Sequence, residues 1–292
     1  MLKRISSFLL LFCLTFLPLA SSNNWLQIGM WEDQTSPVYL SIDIRPVALP
    51  NGDIVPYLYT SHYRINAKGL GIIDERDLTD LISRKSFEFP TELRWEKTNN
   101  TDVISPDTHD WIFDPQGVDG FIDGAYILKN KTKIAKRAPY ILTEEQASLM
   151  GDRTPTWSTD PKGWLQVYRQ PDKGEAWVHT PSLRLIKSSN SDFDKIQVLV
   201  QRQNLRSDGS VNQLLSYEEY NPNSRTRRSL KVWVDTESGW KPLLFKTGSD
   251  YPVPILSQES MIATVAFDYV ITHPTETNTE AVDLSDIFIN SL

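Results

Sequence analysis

Residues 163–183 read Gly-Trp-Leu-Gln-Val-Tyr-Arg-Gln-Pro-Asp-Lys-Gly-Glu-Ala-Trp-Val-His-Thr-Pro-Ser-Leu. Two short apolar runs, 164–168 and 176–178, flank a polar turn that carries Pro171, Asp172 and Gly174. Apolar runs around a Pro/Gly turn signal a β-hairpin. Strand alternation sends Ala176 and Val178 to one face and Trp177 to the other. Val178 then belongs in a core with Leu165 and Val167. Trp177 faces either a groove or a neighbouring unit.

Moving outward, the same spacing recurs twice. Tyr63-Arg64-Ile65 is followed by a turn at Lys68-Gly69, then Gly71-Ile72-Ile73-Asp74 and Leu78. Trp111-Ile112-Phe113 is followed by a turn at 115–117, then Gly120-Phe121-Ile122-Asp123 and Ile127. In each copy a small residue precedes the Asp or His by three positions, and an apolar residue follows it by four. Fixed spacing around a variable turn points to an internal repeat of about fifty residues. The alternative is three unrelated hairpins of similar composition.

The third copy resembles the end of a bacterial SH3-type (SH3b) module: a Trp strand, a turn, a small residue-Trp-Val strand and a closing apolar residue. That resemblance implies small β-barrels that bind a peptide, often a cell-wall peptide, in a shallow groove near the turns. The first copy departs from the pattern, with Tyr63 and Ile72 where the motif has Trp, and is the one expected to be structural. The expected fold is therefore mainly β, with tandem SH3-like barrels followed by a C-terminal antiparallel β domain. The expected boundaries are a signal peptide at 1–22, modules at 23–84, 85–130 and 131–187, and the C-terminal domain at 188–292. The last boundary rests on the polar break at 188–194.

The first 22 residues read as a targeting segment. Lys3 and Arg4 precede an apolar run too short to span a bilayer comfortably, and Ala20, Ser21 and Ser22 follow it. The chain is thus expected to be secreted or periplasmic, soluble, and not inserted in a membrane. Cys13 lies within this segment and is the only cysteine of 292 residues. The mature chain would then have no disulfide, zinc-thiolate site or cysteine nucleophile. The formal net charge of −7 disfavours general nucleic-acid binding.

Elsewhere, residues 38–44 alternate as a half-buried strand, and 50–53 form a turn into a strand at 54–59. Leu78, Leu81 and Ile82 suggest a short helix over 74–84. The basic stretch 129–137 reads as a solvated connection, with an anion-facing strip as the sharper alternative. Thr143-Glu144-Glu145-Gln146 is a capping box that opens a helix over 144–150. Asp208-Gly209 joins two strands, and a hairpin turns at Ser238-Gly239. Residues 261–271 read as the longest apolar strand, with Asp268 its only charge. Arg225, Arg227, Arg228 and Lys231 are expected to be neutralised within one sheet domain by the seven acids that follow residue 247, with a basic binding face as the alternative.

No Gly-x-Ser-x-Gly, His-Glu-x-x-His, phosphate-cradling or calcium-loop pattern occurs. The acid pairs Asp114 with Asp119 and Glu218 with Glu219 read as solvated turn acids, not as a glycosidase pair. No cofactor or metal is expected. The aromatic residues remain the best lead, since they serve either core packing or a groove on which peptide or sugar stacks. The candidate ligand-binding residues are Trp111, Trp157, Trp164, Tyr168, Trp177 and His179. The expected function is non-catalytic recognition of peptide or cell-wall peptidoglycan, or of another envelope protein. Two alternatives stand beside it: a structural subunit of an envelope or surface assembly, and an enzyme whose catalytic residues the sequence does not reveal.

Overall fold

The computed structural model describes residues 21–22, 24–31, 35–106, 112–113, 120–170, 174–189, 192–205, 211–236, 239–243, 249–278 and 280. Its elements follow in chain order. The first ten are β1 (Ser21–Ser22), β2 (Trp25–Met30), β3 (Pro37–Ser41), β4 (Pro46–Ala48), β5 (Ile54–Ala67), β6 (Gly71–Asp80), β7 (Lys85–Glu88), β8 (Thr91–Trp95), β9 (Thr101–Ile104) and β10 (Ile112–Phe113). Next come α1 (Gly120–Ile134), β11 (Tyr140–Ile141) and α2 (Glu144–Met150). The rest are β12 (Trp164–Gln170), β13 (Gly174–Ile186), β14 (Lys195–Leu205), β15 (Val211–Asn221), β16 (Thr226–Val234), β17 (Lys241–Pro242), β18 (Tyr251–Pro252) and α3 (Gln258–Thr272).

The protein is mainly β, built on two sheets. The first runs β1-β2-β3-β5-β6-β7-β10, with β4, β8, β9 and β11 branching from it. The second runs β12-β13-β14-β15-β16-β17, with β18 on β16. Strand pairing is antiparallel except at β11, which runs parallel to β4. Neither sheet closes into a barrel.

The inner faces of both sheets share one apolar cluster with α1 and α3. Leu40, Tyr63 and Ile65 enter it from the first sheet, and Leu165, Val178, Val198 and Val200 from the second. Helix α3 buries every residue from Ile262 to Ile271. A helix that is apolar all round belongs in the interior. Its start is capped by Ser257, whose hydroxyl accepts the Ser260 N–H at 3.1 Å. Helix α1 lies beside it and reaches both sheets. Phe121 packs edge-on against Tyr220 at 6.3 Å. Asp123 accepts hydrogen bonds from the hydroxyls of Ser61, at 2.9 Å, and of Tyr63.

The helices approach closely because α1 presents glycine where they cross. A Cβ at Gly124 would stand 2.8 Å from Phe267 Cβ, and one at Gly120 would collide with the Thr264 methyl. Neither glycine has an unusual backbone in this respect; the requirement is for space. Two carboxylates are trapped in the same layer. Burial holds the Asp268 carboxyl well above its ordinary range, and the nearby Asp123 charge raises it further against the pull of Arg84.

Several expectations give way here. The second strand of the middle copy, Gly120-Phe121-Ile122-Asp123, is the first turn of α1, and the basic stretch after it is largely that helix's C-terminal end. A three-fold hairpin repeat therefore fails. Asp123 in the first turn, with Lys131 and Lys133 in the last, suits the helix dipole. Residues 261–271 are helix, not strand: eleven consecutive apolar-rich positions exceed an ordinary strand and fill three turns. Residues 74–80 extend β6, because Asp74 to Asp80 pair with β5 down the ladder. The polar break at 188–194 links β13 to β14, which pair with Ile186 opposite Lys195, so the second sheet runs across the expected boundary.

Other expectations hold. The hairpin β12–β13 forms with Leu165 opposite Val178. The capping box forms with both of its hydrogen bonds, at 3.0 and 3.1 Å. The neutralisation holds in part: Arg228 meets Asp250 at 2.8 Å and Arg227 meets Glu259 at 3.8 Å, but Arg227 lies nearer Glu218, at 3.3 Å, and Arg225 donates to the Ile28 carbonyl at 3.1 Å. The Asp208-Gly209 turn, Asp114, Asp119 and residues 1–20 lie outside the described residues. No described helix is long and apolar enough to cross a membrane.

The helix crossing supplies a direct test. Gly124→Val places two methyls against Phe267 and is expected to lower unfolding stability by about 1–3 kcal/mol, the scale of core overpacking. Chemical denaturation measures it. An unchanged midpoint would contradict the close approach of the helices.

Candidate functional site

The outer face of the second sheet carries its own aromatic cluster. Trp164, Leu199, Leu215 and Tyr217 form its buried part, and Trp177, Leu230, Trp233 and Trp240 pack on it half-buried. Register explains why they meet. Directly opposed residues share a face, so one row crosses the sheet as Gln166, Trp177, Gln201, Leu215 and Trp233. The next row is Trp164, His179, Leu199 and Tyr217. A third holds Glu175, Gln203 and Gln213. Inner-face residues alternate with these: Val178 and Leu165 lie in the core with Val167, as the alternation required.

A concavity of about 350 Å³ opens on this face. Trp164, Trp177 and Trp240 line it with Gln201 and Gln213, and the turn residues Asp160 and Lys162 close one end. Pockets that combine aromatic walls with a few convergent polar groups are the usual form of small-ligand sites.

The turn is held from several sides. Asp160 Oδ1 accepts the backbone N–H groups of Lys162 at 2.8 Å and Trp164 at 2.9 Å. Gly163 sits at φ +86°, and a Cβ there would stand 2.7 Å from the Pro181 ring, so only glycine fits. Its carbonyl accepts the N–H of Thr180 at 2.9 Å. The His179 ring lies beneath, 5.0 Å from the Trp164 ring, with Nε2 at 3.1 Å from the Lys162 carbonyl. A carbonyl only accepts, so Nε2 carries the proton. Burial lowers the His179 pKa, with the Lys162 carbonyl and Asp160 opposing in part. The ring is a neutral strut for the turn.

The candidate residues thus separate. Trp164 and Trp177 reach the concavity. His179 is only 4% exposed and supports the site from below. Trp157 does not join them. Its indole N–H donates to the Leu81 carbonyl at 3.1 Å, and its ring packs edge-on against Tyr269 of α3 at 5.7 Å. Closeness in sequence to Trp164 misleads, because the extended segment between them crosses from the first sheet to the second. Trp111 and the side chain of Tyr168 lie outside the described residues. Sequence reasoning missed Trp240, Lys162, Gln201 and Gln213. Gln201 was recoverable from pairing, since it lies directly across from Trp177.

Glu218 and Asp74, away from this face, are engaged in structure. Glu218 is not a solvated turn acid: it is 1% exposed on β15 and takes a two-pronged bond from Arg202 at 2.7 and 3.0 Å. Burial alone would raise its pKa, but Arg202 outweighs that and holds it at about 2. Tyr220 donates to it at 2.7 Å. On the first sheet Asp74 is likewise held at about 2: burial opposes the charge, and nearby His62, at 3.5 Å, with two hydrogen bonds from Arg64, at 2.8 and 2.9 Å, overcomes it. Among the described residues no group of three or more His, Cys, Asp or Glu is placed to hold a metal ion.

Compared with known protein families, curated proteins and solved structures, the chain matches none.

The His179 strut predicts a pH dependence. A histidine whose folded pKa is depressed leaves the unfolded state with more bound protons at mildly acid pH. Its contribution is therefore complete above the unfolded value, near 6.5, and is lost as pH falls toward the folded value. Unfolding midpoints measured between pH 7 and 5 should decline, and His179→Gln should flatten that slope. An equal slope in both proteins would contradict a neutral, buried ring.

Proposed function

We propose that this protein is an exported, non-catalytic binding protein that recognises an envelope component, peptide or peptidoglycan, through the outer face of its second sheet. One observation carries the reading: three tryptophans from separate elements converge on one concavity, on the face of the sheet turned away from the core. Export rests on the basic start, apolar run and small residues of positions 1–22. The resemblance of 163–183 to the closing hairpin of an SH3b module supports the same use of this surface, with Trp164 and Trp177 in the roles that the module's Trp positions suggest. Among the described residues, the one acid that lines the concavity, Asp160, and the histidine beneath it, His179, argue for binding over chemistry. Asp160 is engaged by two backbone N–H groups and His179 by the Lys162 carbonyl, so both are spent on holding the turn.

The alternative of a structural subunit is favoured by a different feature. On β9, which pairs only with β8 among the described residues, Val103 is 63% exposed and Ile104 54%. An open, apolar strand edge is a template for pairing with another chain.

The experiment is retention of the full chain on purified cell-wall sacculi beside thermal unfolding. Trp177→Ala should weaken binding by about 2 kcal/mol or more, the scale of an aromatic hot spot. Its stability should fall by less than the roughly 3–5 kcal/mol of a fully buried aromatic truncation. A large stability loss with undiminished binding by the folded fraction would assign Trp177 to packing. Self-association with no retention on sacculi would favour the structural subunit.

A further inference from the structure

We infer that the occupant of the Trp177 concavity is a neutral glycan chain, lying with sugar rings against the indoles, and not a peptide or an anionic polymer. This rests on the reading of the concavity as a binding site.

The first argument is the backbone. Peptides that bind β-proteins by strand addition need an open sheet edge. Trp177 stands on β13, an interior strand whose backbone is paired on one side with β12 and on the other with β14. At this position β13 has a strand on each side, so it offers no open edge, although β12 bulges at Val167. A ligand here meets side chains only.

The second argument is the character of those side chains. Around Trp177 the outward rows carry Gln166, Gln201, Gln203 and Gln213. A carboxamide both donates and accepts, as does a sugar hydroxyl. An indole is flat and apolar with a polar edge. A pyranose ring has the complementary form: C–H groups gather on one face, and hydroxyls ring the edge. Stacking a sugar on Trp177 brings its hydroxyl edge over the glutamines.

The third argument is charge. An anionic ligand needs uncompensated cations. Arg169, beside this face, is paired with Glu175 at 3.1 Å. Among the described residues Lys162 is the one basic residue that lines the concavity, and Asp160 lies two positions before it in the same turn. The site is close to neutral overall. It matches a ligand that hydrogen-bonds without carrying charge.

The test is calorimetric titration of the full chain with three probes. They are a β-1,4-linked N-acetylglucosamine tetrasaccharide, which is uncharged, glycan strands stripped of their peptides, which expose a carboxylate on each lactyl group, and a soluble cell-wall stem peptide. The tetrasaccharide should bind, with an affinity that changes less than twofold between 50 and 500 mM NaCl, and binding of the stripped strands alone overturns the neutral ligand. Trp177→Ala should weaken that binding at least tenfold. Trp177→Phe, which keeps a flat ring, should retain more of it, and Gln201→Ala should weaken it by severalfold. Thermal unfolding of each variant separates lost binding from lost folding. Binding of the stem peptide with none of either glycan overturns the glycan assignment and leaves the binding site standing. Steep salt dependence overturns the neutral ligand. Binding of no probe, with retention on sacculi indifferent to Trp177, overturns the site and the glycan together.

Discussion

The contact between α1 and α3 is the constraint on which the rest of this structure depends. Two sheets alone would leave the inner face of each in need of cover. The helix pair supplies that cover to both, but only if the helices fit within a thin layer. Gly120 and Gly124 permit it, because each removes a side chain where Thr264 and Phe267 come across. The single apolar cluster joining both sheets follows from that approach. So does the burial of polar groups that the layer cannot avoid. One oxygen of Asp123, Oδ2, accepts from Ser61 and Tyr63, while Asp268 is favoured in its protonated form. A raised carboxyl pKa favours folding at low pH and withdraws that support as pH rises through the folded value.

Covering the inner faces also decides what the outer faces can do. On the second sheet the inner residues Leu165, Ala176, Val178, Val198 and Val200 meet the core. The outer side of that sheet is rich in tryptophan. Its lower layer is packing, since Trp164 is only 7% exposed. Its upper layer, Trp177 and Trp240, is half-open and faces glutamines. Cross-sheet fastenings keep this surface in place relative to the core. Arg153 reaches Asp80 and Arg84 reaches Thr156, which pins the segment between α2 and β12 to the first sheet. Asn278 donates to the carbonyls of Pro181 and Leu183, which pins the chain after α3 to β13.

What could be read in the sequence was local and periodic. The alternation of Ala176, Trp177 and Val178 placed each side chain on its observed face, and the capping box located α2. The failures share a cause. Gly120-Phe121-Ile122-Asp123 fits a hairpin template as a string of residue types, yet its glycines serve helix contact and its aspartate accepts hydrogen bonds from another sheet. Residues 261–271 are rich in β-branched and aromatic side chains, which favours strand locally, but burial on all sides favours helix and length decides. Trp157 and Trp164 are seven positions apart and pack into different clusters, because the chain between them changes sheet. Half of the site, Trp240 with the two glutamines, depends on register across four strands, which no single stretch of sequence contains.

The central claim is that Trp164, Trp177 and Trp240 form one ligand-facing surface, while Trp157, packed against Tyr269 of α3, serves the fold. The nine tryptophans give separately observable indole N–H signals in a ¹⁵N-labelled sample. Titration with solubilised peptidoglycan fragments, followed by ¹H–¹⁵N correlation spectra, tests the claim residue by residue. The account predicts that the indole signals of Trp164, Trp177 and Trp240 move together with one saturation curve, and that those of Trp25, Trp95 and Trp157 stay fixed. Movement of Trp25, Trp95 or Trp157 with the other three unmoved would contradict it.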